Sequence, residues 1–424
     1  MRMRAAASLL VLLAAGSIAA GCGGSADEAG AVPTIGFMTW RDQTDVSDKM
    51  YRDCEKQSGN KFKIEPVTMG PTVDAAREQL TRRLGAGDTT IDLINLDVVW
   101  TAEFADAGWL MDITERVEPI KDTFIAASLD SAYYKDKYWG LPVNSNASLL
   151  YYRTDLVKSP PKTWEELVKV SKQVQAKQPD IEGFVFQGAR SESGTVDALE
   201  FMYAAGAKIL SEDGKESIAD EGDGSEFAFQ FLANLIKDGV SPKVVATYTE
   251  EEARLAFQNG GAVFMRNWPY AAGLMETDKT SKVRGKFKMA LLPGFEGRAD
   301  ANVLGGQNFG IAAGTDDPEL AWEALQCLGS AEMQAIKATA KGELPALKAS
   351  YDDPKLEAQI DYLPLSKVAI ARGLNRPESP YYGDVTSSIF KAYNSVLSGE
   401  LSPAEAVKEL DHGVQAAIDG KAEI

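Results

Sequence analysis

The side chains that most often carry out catalysis are scarce in this chain. Its 424 residues include a single histidine, His412, close to the C-terminus. Zinc sites with several His or Cys ligands, Ser-His-Asp hydrolysis and Cys-His chemistry all require imidazoles in the catalytic body. No Gly-Lys pair continues to Ser or Thr, so a Walker-type phosphate loop is missing. These classes of function are disfavoured, no cofactor or metal is predicted, and His412 is expected at the surface.

Carboxylates, in contrast, are abundant. The sequence has 62 Asp+Glu against 44 Lys+Arg, which gives a formal net charge of −18. Nucleic acid and anionic membrane surfaces need clustered cations, so neither is an expected partner. Paired carboxylates suffice for glycoside hydrolysis without histidine, and an exported glycoside hydrolase therefore stays open as an alternative function.

The N-terminal segment predicts export. A basic start, Met1 to Arg4, precedes sixteen uncharged residues from Ala5 to Ala20, which is short of the ~20 needed for a membrane-spanning helix. Ala19-Ala20-Gly21-Cys22 resembles a bacterial lipobox, with Ala where Leu is usual. We expect a signal peptide over 1–21, a lipid on Cys22, a flexible tether over 22–32 and anchoring to the outer face of the cytoplasmic membrane. Ordinary secretion with cleavage near Ala20 is the alternative.

Two cysteines remain if Cys22 carries lipid. Cys54 and Cys327 would then lie in an exported, oxidising compartment, where an even pair predicts a disulfide. Neither has neighbouring His, Lys or Arg residues arranged to indicate a reactive thiol. The spacing by itself does not establish that the two residues approach each other.

The elements that would position a site alternate after the tether. Strands are predicted at 34–38, 61–67 and 91–96, and helices at 46–57, 73–84 and 100–107. This order indicates a mostly parallel sheet covered by helices. Ligands of such sheets lie beyond the carboxyl ends of the strands, where Asp97 falls, although Asp97 could equally cap the next helix.

A second unit follows Leu141 to Asn146. Thr163-Trp164-Glu165-Glu166 predicts a capping box at a helix start, which makes Trp164 an expected packing residue, and Ser402 to Glu405 repeats the signal. At roughly 150 residues per domain, the length fits two or three domains. The body is therefore predicted to form two α/β lobes.

Several stretches resemble one family. The matching segments are Leu96 to Trp109, Leu141 to Asn146, Leu150 to Arg153, Ala253 to Gly260, Asn267 to Pro269, Leu304 to Gly306, Gly342 to Ala346 and Arg376 to Tyr381. Together they resemble the extracellular solute-binding proteins of carbohydrate ABC importers of the maltose-binding type. Among these, the trehalose-binding lipoproteins of actinobacteria are the most similar.

The resemblance implies a two-lobed periplasmic-binding-protein-like fold with a hinge and an interlobe ligand cleft. Lobe 1 would comprise 33–141 and 288–340, and lobe 2 would comprise 142–287 and 341–424. Cys54 and Cys327 would then share lobe 1. The implied protein is a monomer that binds a saccharide and passes it to the transmembrane subunits of a permease with a cytoplasmic ATPase.

The resemblance also implies roles for individual residues. Trp268 would stack on a sugar face, Asp97 would accept sugar hydroxyls, and Arg376 would hold a glucosyl unit. Asn146 at the first crossing would donate and accept, unless it serves the hinge as Asn144 could. The alternatives without a ligand contact are a core position for Trp268 and a surface ion pair for Arg376.

Three further positions are implied with more open alternatives. Gly306 would let the backbone approach the ligand, or would only serve a turn. Glu250 would supply a ligand carboxylate, or would be a solvated residue at a helix start. Asp42 lies in a loop of variable length that usually touches ligand.

Some residues depart from the trehalose relatives. Trp40-Arg41 and Gln307 replace a Pro and an apolar residue, so another α-linked glucoside is an alternative to trehalose. A glycerophosphodiester would instead need several cations, which Arg41, Arg77, Arg266 and Arg376 could supply.

Overall fold

The computed structural model describes residues 32–41, 45–298 and 301–422. The signal peptide, Cys22, nearly all of the expected tether and Asp42 lie outside these ranges. The strands are β1 Thr34–Thr39, β2 Lys63–Thr68, β3 Leu93–Asp97, β4 Tyr133–Tyr134, β5 Lys137–Tyr138, β6 Leu141–Ala147, β7 Leu149–Arg153, β8 Glu182–Val185, β9 Ala262–Asn267, β10 Phe287–Ala290, β11 Asn302–Ile311 and β12 Gly373–Leu374.

The helices follow the same chain order. They are α1 Val46–Gln57, α2 Val73–Gly85, α3 Thr101–Asp106, α4 Thr114–Val117, α5 Ala126–Asp130, α6 Trp164–Gln175, α7 Glu192–Ala204, α8 Gly224–Lys237, α9 Glu250–Gln258, α10 Tyr270–Thr277, α11 Pro318–Leu328, α12 Ala331–Lys341, α13 Pro354–Glu357, α14 Leu363–Ala371, α15 Tyr382–Ser398 and α16 Pro403–Ile418. Short 3-10 helices cover Lys121–Thr123, Lys243–Thr247 and Lys348–Asp352. No helix in the described ranges combines the length and the apolar run needed to cross a bilayer.

The first sheet contains the three strands predicted near the N-terminus. Its order is β12-β11-β3-β1-β2, with β6 paired to β11. Strand β1 is parallel to both β2 and β3, as the alternating pattern predicts. Strand β11 runs antiparallel to β3 and to β6, so the sheet is mixed.

The second sheet has the order β10-β7-β9-β8. Strand β7 is antiparallel to β9 and β10, and β8 is parallel to β9. Helices pack on both sheets. The buried apolar residues around the first sheet form the first core, and those around the second sheet form the second core. The prediction of a two-lobed α/β fold is confirmed.

The crossings between the sheets lie away from the first two expected boundaries. The chain leaves the first sheet at Ser148, between β6 and β7, and returns between Ala290 and Asn302. Strand β6 pairs with β11 over its length, which places 142–147 in the first sheet rather than the second lobe. Strand β10 pairs with β7, which places 288–290 in the second sheet rather than the first lobe.

The third crossing begins close to the expected position, after residue 340. Past α12, Leu344 packs in the second core and Ala346 in the first. Strand β12 then pairs with β11 at the edge of the first sheet. The segment 341–424 therefore touches both sheets before α15 and α16 complete the second lobe.

Local signals in the sequence are reflected in the helix starts. The Thr163 hydroxyl accepts from the Glu166 amide, and Ser402 forms a reciprocal capping box with Glu405. Trp164 is buried in the second core, as expected for a packing residue. His412 is exposed.

A disulfide joins α1 to α11. Cys54 and Cys327 are bonded across a sequence separation of 273 residues, with their Cα atoms 5.7 Å apart. Both helices pack on the first sheet. The bond therefore stays inside one lobe and does not tie the two lobes together.

Candidate ligand-binding site

The first lobe presents Asp97 at the carboxyl end of β3. The preceding residues of this strand, Leu93 to Leu96, are buried, and Asp97 is the point where the strand emerges from the core. Its Oδ1 accepts from the Val99 amide at 3.2 Å, so it also caps the turn that follows. Burial raises the pKa of the Asp97 carboxyl, and the positive charge of Arg376 offsets part of that effect.

Arg376 connects Asp97 to a second carboxylate. It follows β12, and its guanidinium is almost fully buried. Nη2 donates to Asp97 Oδ1 at 2.9 Å, and Nη1 donates to Glu192 Oε1 at 2.5 Å. Nε is buried and has no hydrogen-bond partner among the described residues. Of the three guanidinium nitrogens, Nη1 and Nη2 each bind a carboxylate, and Nε is the one without a partner.

Glu192, which the sequence reasoning missed, begins α7 in the second lobe. Its Oε1 also accepts from the Tyr382 hydroxyl at 2.5 Å, and its Oε2 accepts from Thr386 Oγ1 at 2.6 Å. Burial raises the pKa of this carboxyl, with Arg376 again acting in the opposite direction. The only available signal was an acidic residue at a helix start, which most often stabilises the helix alone.

The two lobes meet beside this array. The Glu192 amide lies 3.4 Å from Asp74 Oδ2 on α2, which belongs to the first lobe. Arg77, also on α2, pairs with Glu103 and lies against Gly383 at the start of α15. The structure therefore brings the first-lobe residue Asp97 together with elements of the second lobe.

Trp268 lies where β9 leaves the second sheet. Its ring contacts Gly305 of β11, and a Cβ added to that glycine would lie 2.8 Å from Trp268 Cη2. The Arg266 guanidinium lies 4.5 Å from the ring centroid, a cation–π geometry. The side chain is half-buried, and Tyr151 fixes its backbone by donating to the Trp268 carbonyl at 2.8 Å. The Trp268 backbone is therefore anchored at the junction of the sheets, where its ring contacts Gly305 and Arg266.

Asn146 and Gly306 lie on the crossing strands themselves. Asn146 Oδ1 accepts from the Leu344 amide at 3.1 Å, which links the first crossing to the third. Gly306 has φ +136°, and an added Cβ would lie 2.6 Å from the Asn144 carbonyl oxygen. Both residues therefore stabilise the crossing strands, independently of any contact with ligand.

Glu250 lies on the second-lobe side of the junction. It begins α9, is half-buried, and accepts from Ser193 Oγ at 2.6 Å. Its backbone oxygen accepts from Asn267, the residue before Trp268. The structure therefore brings Glu250 close to the segment that carries Trp268.

Three of the four arginines considered for an anionic ligand are paired. Arg77 binds Glu103, Arg376 binds Asp97 and Glu192, and Arg266 is buried against Asp197 and Glu200. Arg41 is exposed. The described residues therefore offer no cluster of unpaired cations at the junction.

A separate groove of about 1030 Å³ runs along α15 and α16. Its walls include His412, Arg190 and Glu400, and none of the residues assigned to the ligand site. Size does not identify a sugar site, which needs converging polar groups and an aromatic face. The junction has these features, and we take it as the candidate site.

Comparison with known proteins agrees with this architecture. Residues 43–335 match the model of a family described as bacterial extracellular solute-binding protein. A probable ABC transporter-binding protein of Deinococcus radiodurans is 30% identical over 380 residues, covering 86% of this chain and 88% of that protein.

Solved structures of similar proteins have the same fold. Maltose-bound MalE3 of T. maritima has a TM-score of 0.83 and 32% identity, covering 90% of this chain and 99% of that one. A solute-binding protein of Thermotoga lettingae bound with α-D-tagatose has a TM-score of 0.80 and 25% identity, covering 91% and 100%. The fold and the junction define a two-lobed ABC-type binding protein. This chain belongs to the bacterial extracellular solute-binding protein family.

Proposed function

We propose that this chain is the substrate-binding lipoprotein of an ABC sugar importer. It captures a di- or oligosaccharide in the cleft between its lobes and delivers it to the permease. Trehalose or another α-linked glucoside is favoured. The observation that carries the proposal is the array of Asp97, Arg376 and Glu192, because it draws residues from both lobes. Ser193, next to Glu192, bonds to Glu250, which in turn contacts the segment that carries Trp268.

The chemistry of this array suits a sugar. Carboxylate oxygens and the free Arg376 Nε offer an acceptor and a donor for neighbouring hydroxyls, and the Trp268 ring offers an apolar face. The maltose bound to the T. maritima relative adds support for an α-linked glucoside. Asn146, Gly306, Glu250 and Asp42 are proposed as further ligand contacts.

The proposed mechanism is a population shift. Ligand touches both lobes only when the cleft is closed, so binding favours closure by that difference in affinity. The closed shape is what the permease recognises. Lipid on Cys22 would hold this monomeric receptor at the outer face of the cytoplasmic membrane.

We infer a receptor rather than an enzyme. A glycoside hydrolase needs one carboxyl free to protonate the leaving group and another free to attack or activate water. Asp97 and Glu192 instead share one guanidinium, and Glu192 has two further donors. That arrangement favours holding a ligand over transforming it.

A thermal-shift screen tests the proposal. The soluble form, starting after Cys22, is mixed with trehalose, maltose, longer maltodextrins or glycerophosphocholine, and the same mixtures are analysed by thin-layer chromatography. A ligand that binds only the native state stabilises it by RT ln(1 + [L]/Kd), about 2.7 kcal/mol at a hundredfold excess over Kd. We expect a shift with an α-linked glucoside and no breakdown. Breakdown products would indicate the hydrolase, and a shift with glycerophosphocholine alone would overturn the proposed site chemistry.

A further inference from the structure

Glu192 is surrounded by donors from three side chains. Arg376, Tyr382 and Thr386 all donate to its carboxylate at 2.5 to 2.6 Å. The residue is 4% exposed. Three donors already occupy these oxygens, whereas Arg376 Nε is buried without a partner, so any influence of Glu192 on binding has to pass through a neighbour.

The neighbours of Glu192 hold it rigidly. Thr386 lies on α15 and shares a hydrogen bond with Thr195 of α7 at 2.6 Å. The Tyr382 ring packs in the core of the first lobe, although α15 belongs to the second. Glu192 is the first residue of α7, so the positive end of the helix dipole also stabilises its negative charge. Glu192 is therefore a fixed anion where the two lobes meet.

Arg376, in contrast, depends on its side-chain contacts for its orientation. It lies on a short irregular segment after β12, and its long side chain has several rotatable bonds. On its own, the contact between Asp97 and Nη2 would leave the guanidinium rotational freedom about that contact. The contact between Nη1 and Glu192 removes that freedom. Two anchors on different nitrogens determine the direction in which the unpaired Nε points.

We propose that Glu192 is a positioning residue of the ligand site. It holds the Arg376 guanidinium between the lobes so that Nε is presented to a sugar hydroxyl. This inference rests on the proposed function, since it assigns a role within the saccharide site.

A double-mutant cycle tests the proposal, with maltose and trehalose as probes. The four proteins are wild type, Glu192→Gln, Arg376→Lys and the double variant. Gln keeps the size and an acceptor for Tyr382, but loses the charge that binds the guanidinium. A hydrogen bond to a charged group contributes about 1.5–3 kcal/mol, or roughly 10- to 100-fold in affinity. We expect Glu192→Gln to weaken binding by about tenfold or more.

The cycle separates positioning from a general structural effect. In the Arg376→Lys background no fork remains to be oriented, so Glu192→Gln should change affinity by less than about threefold. An equal loss in both backgrounds would overturn the proposal. Asp155→Asn is the matched control, because Asp155 binds Arg153 in the second lobe, away from the site, and its loss should leave affinity unchanged.

A milder variant protects the test against misfolding. Tyr382→Phe removes one donor to Glu192 and keeps the ring, and a smaller loss of affinity with an unchanged melting temperature is expected. If wild type binds saccharide and both Glu192→Gln and Tyr382→Phe bind as well as wild type, this inference alone is wrong. If wild type binds neither maltose, trehalose nor a longer maltodextrin, the proposed function fails, and this inference with it.

Discussion

Asp97, Glu192 and Arg376 form a buried set with one cation and two anions. Burying charges is costly unless each is paired and hydrogen-bonded. Glu192 accepts hydrogen bonds from three side chains, whereas Asp97 accepts from one guanidinium nitrogen and one backbone amide. Asp97 therefore keeps more capacity to accept a ligand hydroxyl, and we expect its charge to matter most for binding.

Asp97→Asn should lower saccharide affinity by about 10- to 100-fold, because a charged acceptor becomes neutral. The pKa of Asp97 is raised by burial, so protonation removes the charge at a higher pH than for an ordinary aspartate. Wild-type affinity should fall on acidification through that raised pKa, whereas the residual affinity of the Asn variant should not follow this titration. Calorimetric titrations across a pH series measure both.

The same raised pKa acts on stability in the opposite direction. A folded state that holds its proton more tightly gains stability as pH falls and loses it as pH rises through the folded pKa. Acid should therefore weaken binding without a matching destabilisation from this group. An Asn variant with the same pH profile of affinity as wild type would contradict the assignment.

Two tryptophans offer a matched comparison. Trp268 is half-buried at the junction, whereas Trp164 is fully buried against Phe184 and Phe201. Trp268→Ala should abolish detectable saccharide binding and leave the thermal transition nearly intact. Trp164→Ala should cost about 3–5 kcal/mol of unfolding free energy while its folded fraction still binds. Normal sugar binding by Trp268→Ala, or its failure to fold, would refute the stacking role.

Helix α7 is tied to both early crossings through one carboxylate. Glu200 pairs with Arg266 at 2.5 and 2.8 Å, and it also accepts from Ser148 at the first crossing. Ser148 in turn contacts Asn302 at 3.0 Å, where the chain returns to the first sheet. Asp197 lies beside the same arginine, and burial, together with the charge of Glu200, raises its pKa well above the ordinary value.

The two carboxylates should therefore differ in their contribution to stability. Glu200→Gln removes the bidentate partner of a buried arginine and should cost about 3 kcal/mol. Asp197→Asn removes the excess negative charge and should change the unfolding free energy by less than about 1 kcal/mol. Urea denaturation of the two variants measures the difference. Equal losses would show that Arg266 depends on both acids.

The sequence predicted the elements of the first lobe well. Helix α1 spans the predicted 46–57, and β1 and β3 end within one residue of their predictions. Buried strands alternating with amphipathic helices leave clear periodic patterns. Strand β12 could not be found in this way, because two residues carry no periodicity. The pairings of β6 and β10, which move the lobe boundaries, depend on contacts distant in sequence.

The candidate site was predictable only in part. Trp268 and Arg376 came from a family resemblance, and Asp97 came from that resemblance and from its position past the third predicted strand. Nothing in local spacing links residues 97 and 376. Glu192 escaped notice because an acid at a helix start has an ordinary explanation in helix stability. Its role becomes visible only once α15 brings Tyr382 and Thr386 against it.

The lobes touch through a close contact that a side chain would disturb. A Cβ on Gly383 would lie 2.4 Å from Arg77 Nη2, and Glu103 restrains that arginine at 2.6 and 2.7 Å. Gly383→Leu should therefore hold the lobes apart, with little effect on the core of either lobe. In the presence of saccharide, we expect the variant to have a larger radius of gyration than wild type. We also expect it to bind saccharide roughly tenfold more weakly.

Small-angle scattering with and without maltose checks this expectation. Ser388→Ala, in the same helix, removes only an exposed hydroxyl that is bonded to its own helix backbone, and serves as the control. Compaction and affinity equal to wild type in Gly383→Leu would show that this contact does not limit closure.

Calorimetric titration of the soluble form with trehalose and maltose tests whether the junction between the lobes binds an α-linked glucoside. We expect one saccharide per chain for wild type and for Asp155→Asn, no detectable binding by Trp268→Ala, and weakened binding by Asp97→Asn. Saccharide bound equally well by all four proteins would place the site elsewhere, for example in the groove along α15 and α16. No heat from either disaccharide or from longer maltodextrins would contradict a receptor for α-linked glucosides.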